Sequence, residues 1–147
     1  MTKTSEEIWD LVLNVNLKGI FLCTKAALQH MMRQKSGYIV NISSISGKRA
    51  VERTPPAYCA SKFGVIGLTQ ALTQQLKNHG ISVTAVCPAG VDTKILDYPR
   101  FEKGERDKDR EKGILVPEDI AEVVIFLVTR PQNVTIPEIV VVPRSEI

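Results

Sequence analysis

The sequence predicts an α/β fold in which three parallel strands are flanked by helices. Helical and strand-like segments alternate along the chain, and the three strand-like segments are short and almost continuously apolar. Strands of this kind are typical of parallel sheets covered on both faces, and helices are the usual connections between parallel strands. With 147 residues, 44% hydrophobic and 24% charged, the chain is long enough for one domain with a hydrophobic core.

Three segments have the periodicity of helices. The first covers residues 4–34, where apolar or small residues recur every three or four positions, and Gly19 near its middle predicts a kink. The second covers residues 56–79 and is followed by Gly80, the residue type that most often follows the end of a helix. The third starts with Pro117 and has acidic residues in its first turn, which is typical of a helix N-terminus.

Three segments are predicted to be strands: residues 37–43, 81–88 and 138–142. Each is a short apolar run bounded by turn-forming or charged residues. Residues 44–55 combine serine, glycine, proline and charged residues, which predicts a loop. Residues 100–113 are strongly charged, and the residues alone favour a solvated loop or a frayed helix there.

Composition argues against several classes of partner. The net charge of +3 is small and both signs are mixed along the chain, so no nucleic-acid partner is expected. No uninterrupted apolar run reaches the roughly 18 residues of a membrane span, and no membrane partner is expected. Cys23, Cys59 and Cys87 are scattered and are predicted to be buried thiols of a cytoplasmic protein, and neither they nor His30 and His79 have the spacing of a metal site.

The stretch PAYCASKFG, residues 56–64, places a phenol and an ammonium one helical turn apart. Tyr58 and Lys62 therefore share a helix face, where the cation favours the phenolate and makes the tyrosine a usable general acid or base. A Tyr-x-x-x-Lys pair occurs by chance in roughly one such chain in five, and the alternative is a tyrosine packed on a lysine stem. The same helix carries a stripe of small residues that suits close packing or a subunit contact: Ala57, Ala60, Ser61, Gly64, Gly67 and Ala71.

Polar residues also follow the ends of two predicted strands. The serines of NISSIS come directly after the first strand, and CPAGVDT contains the end of the second. Ligands bind beside the carboxyl ends of parallel strands, although a loop serine is more often a turn former. Asn16 lies in the middle of the first helix, where asparagine is unfavourable, so a buried structural role or a bound water is considered.

Taken together, VNLKG, GYIVNISSISG, YCASK and CPAGVDT resemble, in order and spacing, the C-terminal part of a short-chain dehydrogenase/reductase. VPEDIAEVVIFL resembles the last helix of that family. The resemblance implies a Rossmann-like sheet, and residues 1–147 are expected to be a single domain that forms the C-terminal portion of an NAD(P)-binding Rossmann domain. It also implies a homo-oligomer, a dimer or tetramer, formed through the long helices.

The resemblance further implies hydride transfer between NAD or NADP and a small carbonyl compound or secondary alcohol. Tyr58 would exchange a proton with the substrate oxygen, and Lys62 would lower the pKa of Tyr58 and bind the nicotinamide ribose. Ser44 would hold the substrate oxygen, with Ser43 and Ser46 as neighbours that fit less well, and Asn16 would hold a water in a proton relay. The nicotinamide end of the cofactor would contact Pro88, Val91 and Thr93, and residues 100–113 would fall in the variable substrate lid.

Two features depart from the family pattern. The sequence has no Gly-rich strand-to-helix turn for the cofactor pyrophosphate, and Ala89 stands between Pro88 and Gly90, where the family usually has Pro-Gly. Two hypotheses follow: the sequence is part of a working oxidoreductase, or it is a catalytically silent fragment that binds full-length relatives through its long helices.

Overall fold

The structure, a computed structural model, describes residues 4–93 and 114–146. Three strands form a parallel sheet in the order β1-β2-β3, comprising Gly37–Ile42, Ile81–Pro88 and Glu138–Val141. The predicted α/β class and the parallel pairing are confirmed. The first and last strands end one residue earlier than their apolar runs suggest.

The first helical segment is interrupted by a wider turn. Helix α1, Glu6–Leu13, and helix α2, Gly19–Gln34, are joined by a π-helical turn at Asn14–Lys18, and the amide of Gly19 donates to the carbonyl of Asn14. The Ser5 hydroxyl caps α1 by accepting from the amide of Ile8 at 3.3 Å. The kink predicted at Gly19 is therefore a π turn that ends just before it, and such turns occur often at functional sites.

This first helical segment is also the most apolar part of the chain. Over Glu6–Gln34 its best 18-residue window has a mean hydropathy of 1.4, so by length and composition alone it is long enough to cross a membrane. Interface and core helices of soluble proteins meet the same criterion. The finding is weak evidence of a membrane span, and the absence of a membrane partner stays an expectation.

The register of the sheet brings the carboxyl ends of the strands together. Gly37 lies opposite Ile81 and Ile42 lies opposite Val86, so β1 and β2 run side by side over the whole of β1. Pro88, at the end of β2, lies opposite Val141 at the end of β3. All residues of the central strand β2 are buried, which explains why its sequence is apolar without alternation.

Helix α3, Pro56–Leu76, covers one face of this sheet. Its C-terminal half packs on β1 and β2, and the core there consists of Ile39, Leu72, Leu76, Ile81 and Val83. Burial of each such side chain stabilises the fold by about 1.5–3 kcal/mol, which fixes α3 firmly on the sheet. The upper half of α3, nearer its N-terminus, thereby lies beside the carboxyl ends of the strands.

The last helix matches its prediction closely. Helix α4 covers Pro117–Val128 with the proline in its first turn, and the Asp119 carboxylate accepts from the amide of Val116 at 2.8 Å. Its side chain at Leu127 is completely buried. Proline and an acidic residue therefore begin this helix as their positions in the sequence indicate.

Candidate active site

Two serines continue the chain from the end of β1 across the edge of the sheet. The amide of Ser43 donates to the carbonyl of Val86 at 2.7 Å, and the Ser44 hydroxyl donates to the carbonyl of Pro88 at 3.5 Å. The same hydroxyl accepts from the amide of Ser46 at 3.1 Å, which caps a short 3-10 turn at Ile45–Gly47. Ser44 is thus held where β1 and β2 both end.

The 3-10 turn is clamped on the first turns of α3. The Ser43 hydroxyl donates to the carbonyl of Lys62 at 2.9 Å, and the Cys59 thiol donates to the carbonyl of Ser46 at 3.1 Å. A Cβ at Gly47 would lie 2.6 Å from the Lys62 carbonyl oxygen, so only glycine permits this approach. The contacts tie the loop of Ser44 to the helical segment that carries Tyr58.

Tyr58 and Lys62 lie on one face of α3, as their spacing predicts. The ammonium of Lys62 is 5.5 Å from the centroid of the Tyr58 ring, within the range of a cation–π contact. The same Nζ donates to the carbonyl of Ile42 at 3.0 Å, the last residue of β1. The ammonium therefore lies between the phenol and the carboxyl end of the strand.

Burial lowers the pKa of Lys62, and the nearby Cys87 thiol opposes that shift by a smaller amount. Between the lowered folded value and 10.5, the unfolded chain therefore binds more protons at this lysine than the folded chain does. At neutral pH, burial of the charged Lys62 lowers the free energy of unfolding. This destabilisation disappears as the pH rises towards 10.5, because the folded chain releases the proton first. A destabilising charge of this kind is common where a site must hold a reactive group.

The pH dependence predicted for Lys62 can be tested by comparing the stability of variants at Lys62 and at Lys48. In the wild type, Lys62 should make the free energy of unfolding increase as the pH rises towards 10.5, and Lys62→Met should remove that slope in denaturant titrations. Lys48 is the matched control, because its ion pair with Glu138 raises its pKa. The stabilisation from Lys48 is present below 10.5 and is lost only above it, so Lys48→Met should not change the slope below 10.5. An unchanged slope in Lys62→Met would contradict the assigned burial.

Asn16 does not contact Lys62 directly in the hydrogen bonds of the described residues. Its side-chain amide Nδ2 donates to the Ser61 hydroxyl at 3.1 Å, and that hydroxyl donates to the carbonyl of Tyr58 at 2.7 Å. Asn16 therefore reaches the Tyr58–Lys62 pair through Ser61. Sequence reasoning placed Ser61 only in the stripe of small residues and gave it no role.

Two glycines of the stripe of small residues, Gly64 and Gly67, differ in how closely other atoms approach them. A Cβ at Gly64 would lie 2.7 Å from a methyl carbon of Leu17, so this glycine lets α3 approach the π turn closely. Gly67 has no atom within 4 Å of an added Cβ. Within the described chain, the stripe packs closely at Gly64 and lies open at Gly67, where the alternative of a subunit contact stays a prediction.

The residues expected at the nicotinamide end follow β2. Pro88 is buried, and Val91 pairs with Leu115 in an isolated parallel bridge. The amide of Leu115 donates to the carbonyl of Gly90 at 3.2 Å, which closes this turn. Thr93 is half-buried, and residues 100–113, the expected lid, lie outside the described residues.

Among residues 4–93 and 114–146, no three His, Cys, Asp or Glu side chains are grouped closely enough to hold a metal ion. The prediction of three buried thiols is right only for Cys87, whose pKa is raised chiefly by burial. Cys59 is half-buried and Cys23 is exposed, because Cys23 lies on the outer face of α2.

Fold and site together define an α/β protein with a phenol, an ammonium and serine hydroxyls at the carboxyl edge of a parallel sheet. Ligands of open α/β sheets bind at this edge. The sequence profile described as short chain dehydrogenase matches residues 1–103. The chain belongs to the short-chain dehydrogenase family, as its motifs predicted.

Relatives and solved structures agree with this assignment. The chain is 40% identical over 135 residues to an uncharacterized oxidoreductase of Staphylococcus aureus (strain MRSA252), a match that covers 92% of this chain and 54% of the relative. A Staphylococcus epidermidis oxidoreductase is 33% identical over 143 residues, covering 97% of this chain and 58% of the relative. The chain thus spans little more than half the length of these curated relatives.

Two solved structures superpose on nearly the whole chain. A serine dehydrogenase complexed with NADP+ has a TM-score of 0.87 and 28% identity, covering 97% of this chain and 58% of that one. An actinorhodin polyketide ketoreductase variant with NADPH has a TM-score of 0.82 and 34% identity, covering 95% and 59%. The fold of the described chain is therefore that of part of a Rossmann-fold dehydrogenase.

Proposed function

We propose that this chain is the catalytic part of an oxidoreductase that transfers a hydride between a nicotinamide cofactor and a carbonyl compound or secondary alcohol. The observation that carries the proposal is the convergence of Tyr58, Lys62 and Ser44 at the carboxyl edge of the sheet. It is supported by two hydrogen bonds between Lys62 and the end of β1: the Ser43 hydroxyl donates to the Lys62 carbonyl, and Lys62 Nζ donates to the carbonyl of Ile42.

In the direction of reduction, the Tyr58 phenol gives its proton to the carbonyl oxygen while the carbonyl carbon receives a hydride. The nicotinamide cofactor, when bound, supplies that hydride. The Lys62 ammonium stabilises the phenolate left on Tyr58, and the Ser44 hydroxyl donates a hydrogen bond to the substrate oxygen. In the reverse direction the phenolate takes the proton of the alcohol.

Asn16 is proposed to hold the water through which Tyr58 and Lys62 regain a proton from solvent. Its position in the π turn supports this role, because backbone carbonyls in such a turn are displaced from the regular helical pattern. Its side chain is already engaged with Ser61, so the water would be held by the backbone of this turn.

The residues after β2 fit a nicotinamide cofactor. Gly90 has no atom within 4 Å of an added Cβ, so the fold of the described chain does not itself need a glycine there. Pro88, Val91 and Thr93 are proposed to contact the nicotinamide end of the cofactor, and the room beside Gly90 among the described residues supports this. The cofactor is proposed as NAD or NADP, in line with the NADP+ and NADPH of the two similar structures.

We propose that the chain forms the C-terminal portion of one NAD(P)-binding domain, works in the cytoplasm and assembles as a homo-oligomer. The observation that supports the assembly is the exposed apolar surface of α1, the π turn and α2, to which six large side chains contribute: Ile8, Leu11, Val15, Phe21, Leu22 and Met32. Exposed apolar patches of this kind mark interaction sites. A chain that sediments as a monomer at every concentration would contradict the assembly.

The same exposed face favours a second candidate function. A catalytically silent chain could bind full-length relatives through this face without turning over a substrate. The two candidates differ in whether the site residues can support hydride transfer when the remainder of a dehydrogenase is present.

The deciding experiment uses a chimera in which this chain replaces the matching 135 residues of the S. aureus relative. We expect the chimera to oxidise NADH or NADPH in the presence of a panel of ketones and aldehydes. The residues that the proposal assigns to the site all come from this chain. The loss of absorbance of the reduced cofactor measures turnover. A folded chimera that binds NADPH and turns over no member of the panel would favour the silent partner.

A further inference from the structure

We infer that Ser61 is a positioning residue, which joins the π turn to the backbone of Tyr58 and so sets the phenol against the Lys62 ammonium. The inference rests on the proposed function, since it concerns how the same site is held together. Ser61 would act through the backbone of Tyr58, without contact to the substrate or the cofactor.

The contacts of Ser61 form a continuous link. Its hydroxyl accepts from Asn16 Nδ2 at 3.1 Å and donates to the carbonyl of Tyr58 at 2.7 Å. Ser61 has 0% exposure, so no solvent competes for either hydrogen bond. The link therefore runs from a residue of the π turn, 45 positions earlier in the chain, to the backbone of the proposed acid.

The Ser61 hydroxyl acts within the first two turns of α3, which begins at Pro56. Its bond to the carbonyl of Tyr58 spans one helical turn, a common contact of a serine inside a helix. The same hydroxyl also accepts from Asn16, so it joins the π turn to the turn of α3 that carries Tyr58.

A second contact keeps the π turn in place against the same face of α3. Leu17, the neighbour of Asn16, packs against Gly64, which lies three residues after Ser61 and hence on the same helix face. The polar contact at Ser61 and the apolar contact at Gly64 together fix both the distance and the rotation between the π turn and α3. Without the Ser61 hydroxyl, the contact of Leu17 with Gly64 would still set the distance between the π turn and α3. The rotation of α3 relative to the π turn would no longer be fixed.

The test measures the position of the Tyr58 ring in the 147-residue chain by nuclear Overhauser effects between its ring protons and the ε-methylene of Lys62. Wild type, Ser61→Ala, Asn16→Ala and the double variant are compared, with Tyr58→Phe used to assign the signals. Because the Lys62 ammonium lies 5.5 Å from the ring centroid, displacement of the ring should weaken or abolish this contact in each single variant. The double variant should show no more than the larger single effect, since both changes break one link.

Tyr38 is the internal control for a general loss of structure. Its hydroxyl is hydrogen-bonded to Thr84 at 2.7 Å, at the other end of β1, so the contact between its ring and the Thr84 methyl group should not change. Ser61→Thr keeps a hydroxyl and should keep the wild-type contact between Tyr58 and Lys62. Additive effects of the two substitutions, an unchanged contact of Tyr58 in the single variants, or an equal loss of the Tyr38 contact would each overturn the positioning role.

Turnover by the chimera separates this inference from the proposed function. If Tyr58→Phe leaves turnover unchanged while Ser61→Ala and Asn16→Ala weaken the contact between Tyr58 and Lys62, the proposed acid is wrong and the positioning role of Ser61 holds. If Tyr58→Phe abolishes turnover while Ser61→Ala and Asn16→Ala leave that contact unchanged, only the positioning role of Ser61 is wrong.

Discussion

Tyr58→Phe should lower hydride transfer by the chimera by a factor of roughly 10²–10⁴, the range that a positioned acid–base group contributes. Phenylalanine keeps the ring beside the Lys62 ammonium and removes only the hydroxyl that exchanges the proton. Binding of the cofactor should therefore remain within a few-fold of the wild type. Initial rates and fluorescence titration with NADPH measure the two quantities separately.

Tyr38→Phe is the matched control for this substitution. The Tyr38 hydroxyl bonds to Thr84 near the amino end of β1, opposite to the end that carries Ser44. Its loss should reduce stability by about 1 kcal/mol, the typical worth of one hydrogen bond, and leave turnover unchanged. If Tyr58→Phe retains the rate of Tyr38→Phe, Tyr58 is not the acid and the catalytic proposal fails.

Gly47→Ala should have the second large effect, on stability and on the site together. The new Cβ would lie 2.6 Å from the Lys62 carbonyl oxygen and 2.8 Å from the Ser43 hydroxyl. The carbonyl belongs to a helix backbone that cannot yield locally, so the 3-10 turn must move away from α3. Overpacking of this kind costs about 1–3 kcal/mol, measurable by urea unfolding of the chain.

The displacement should reach the substrate side of the site as well. Ser44 is joined to the moving turn through its bond to the amide of Ser46, so its hydroxyl would shift away from Tyr58. In the chimera, turnover should fall while cofactor binding changes less.

Gly67→Ala provides the contrast to Gly47→Ala. Gly67 lies in the middle of α3 with open space around an added Cβ, and alanine should stabilise the helix by about 1 kcal/mol. A Gly47→Ala chain as stable as Gly67→Ala would show that the turn is not clamped on α3.

Local patterns determined much of the fold. Helix α4 begins where proline and acidic residues indicate, and β2 follows an apolar run from its first residue to its last. These features depend on neighbours in sequence, because caps, turns and the hydrophobic period act over a few residues. The shared face of Tyr58 and Lys62 is local in the same sense, since four residues make about one helical turn.

Long-range contacts decided what the local pattern left open. Asn16 and Ser61 are far apart in sequence, and nothing near either residue indicates that they meet. The structure has a π turn at Asn14–Lys18, just before Gly19, where the sequence predicted a kink. Kinks arise at π turns as well as at glycine, and the sequence around Gly19 does not show which of the two is formed.

Three glycines show most clearly which features follow from local sequence and which follow from tertiary contacts. From the sequence, Gly64 and Gly67 are equivalent members of one stripe of small residues, and Gly47 is an ordinary loop glycine. The fold places Leu17 against Gly64, a helix carbonyl against Gly47 and open space beside Gly67. The sequence by itself determined the three strands, the main helices and their order, and it indicated the candidate groups of the site. Only the tertiary structure decided which of those groups touch, because the distance between two residues remote in sequence is set by the packing of whole elements and not by the residues around each of them.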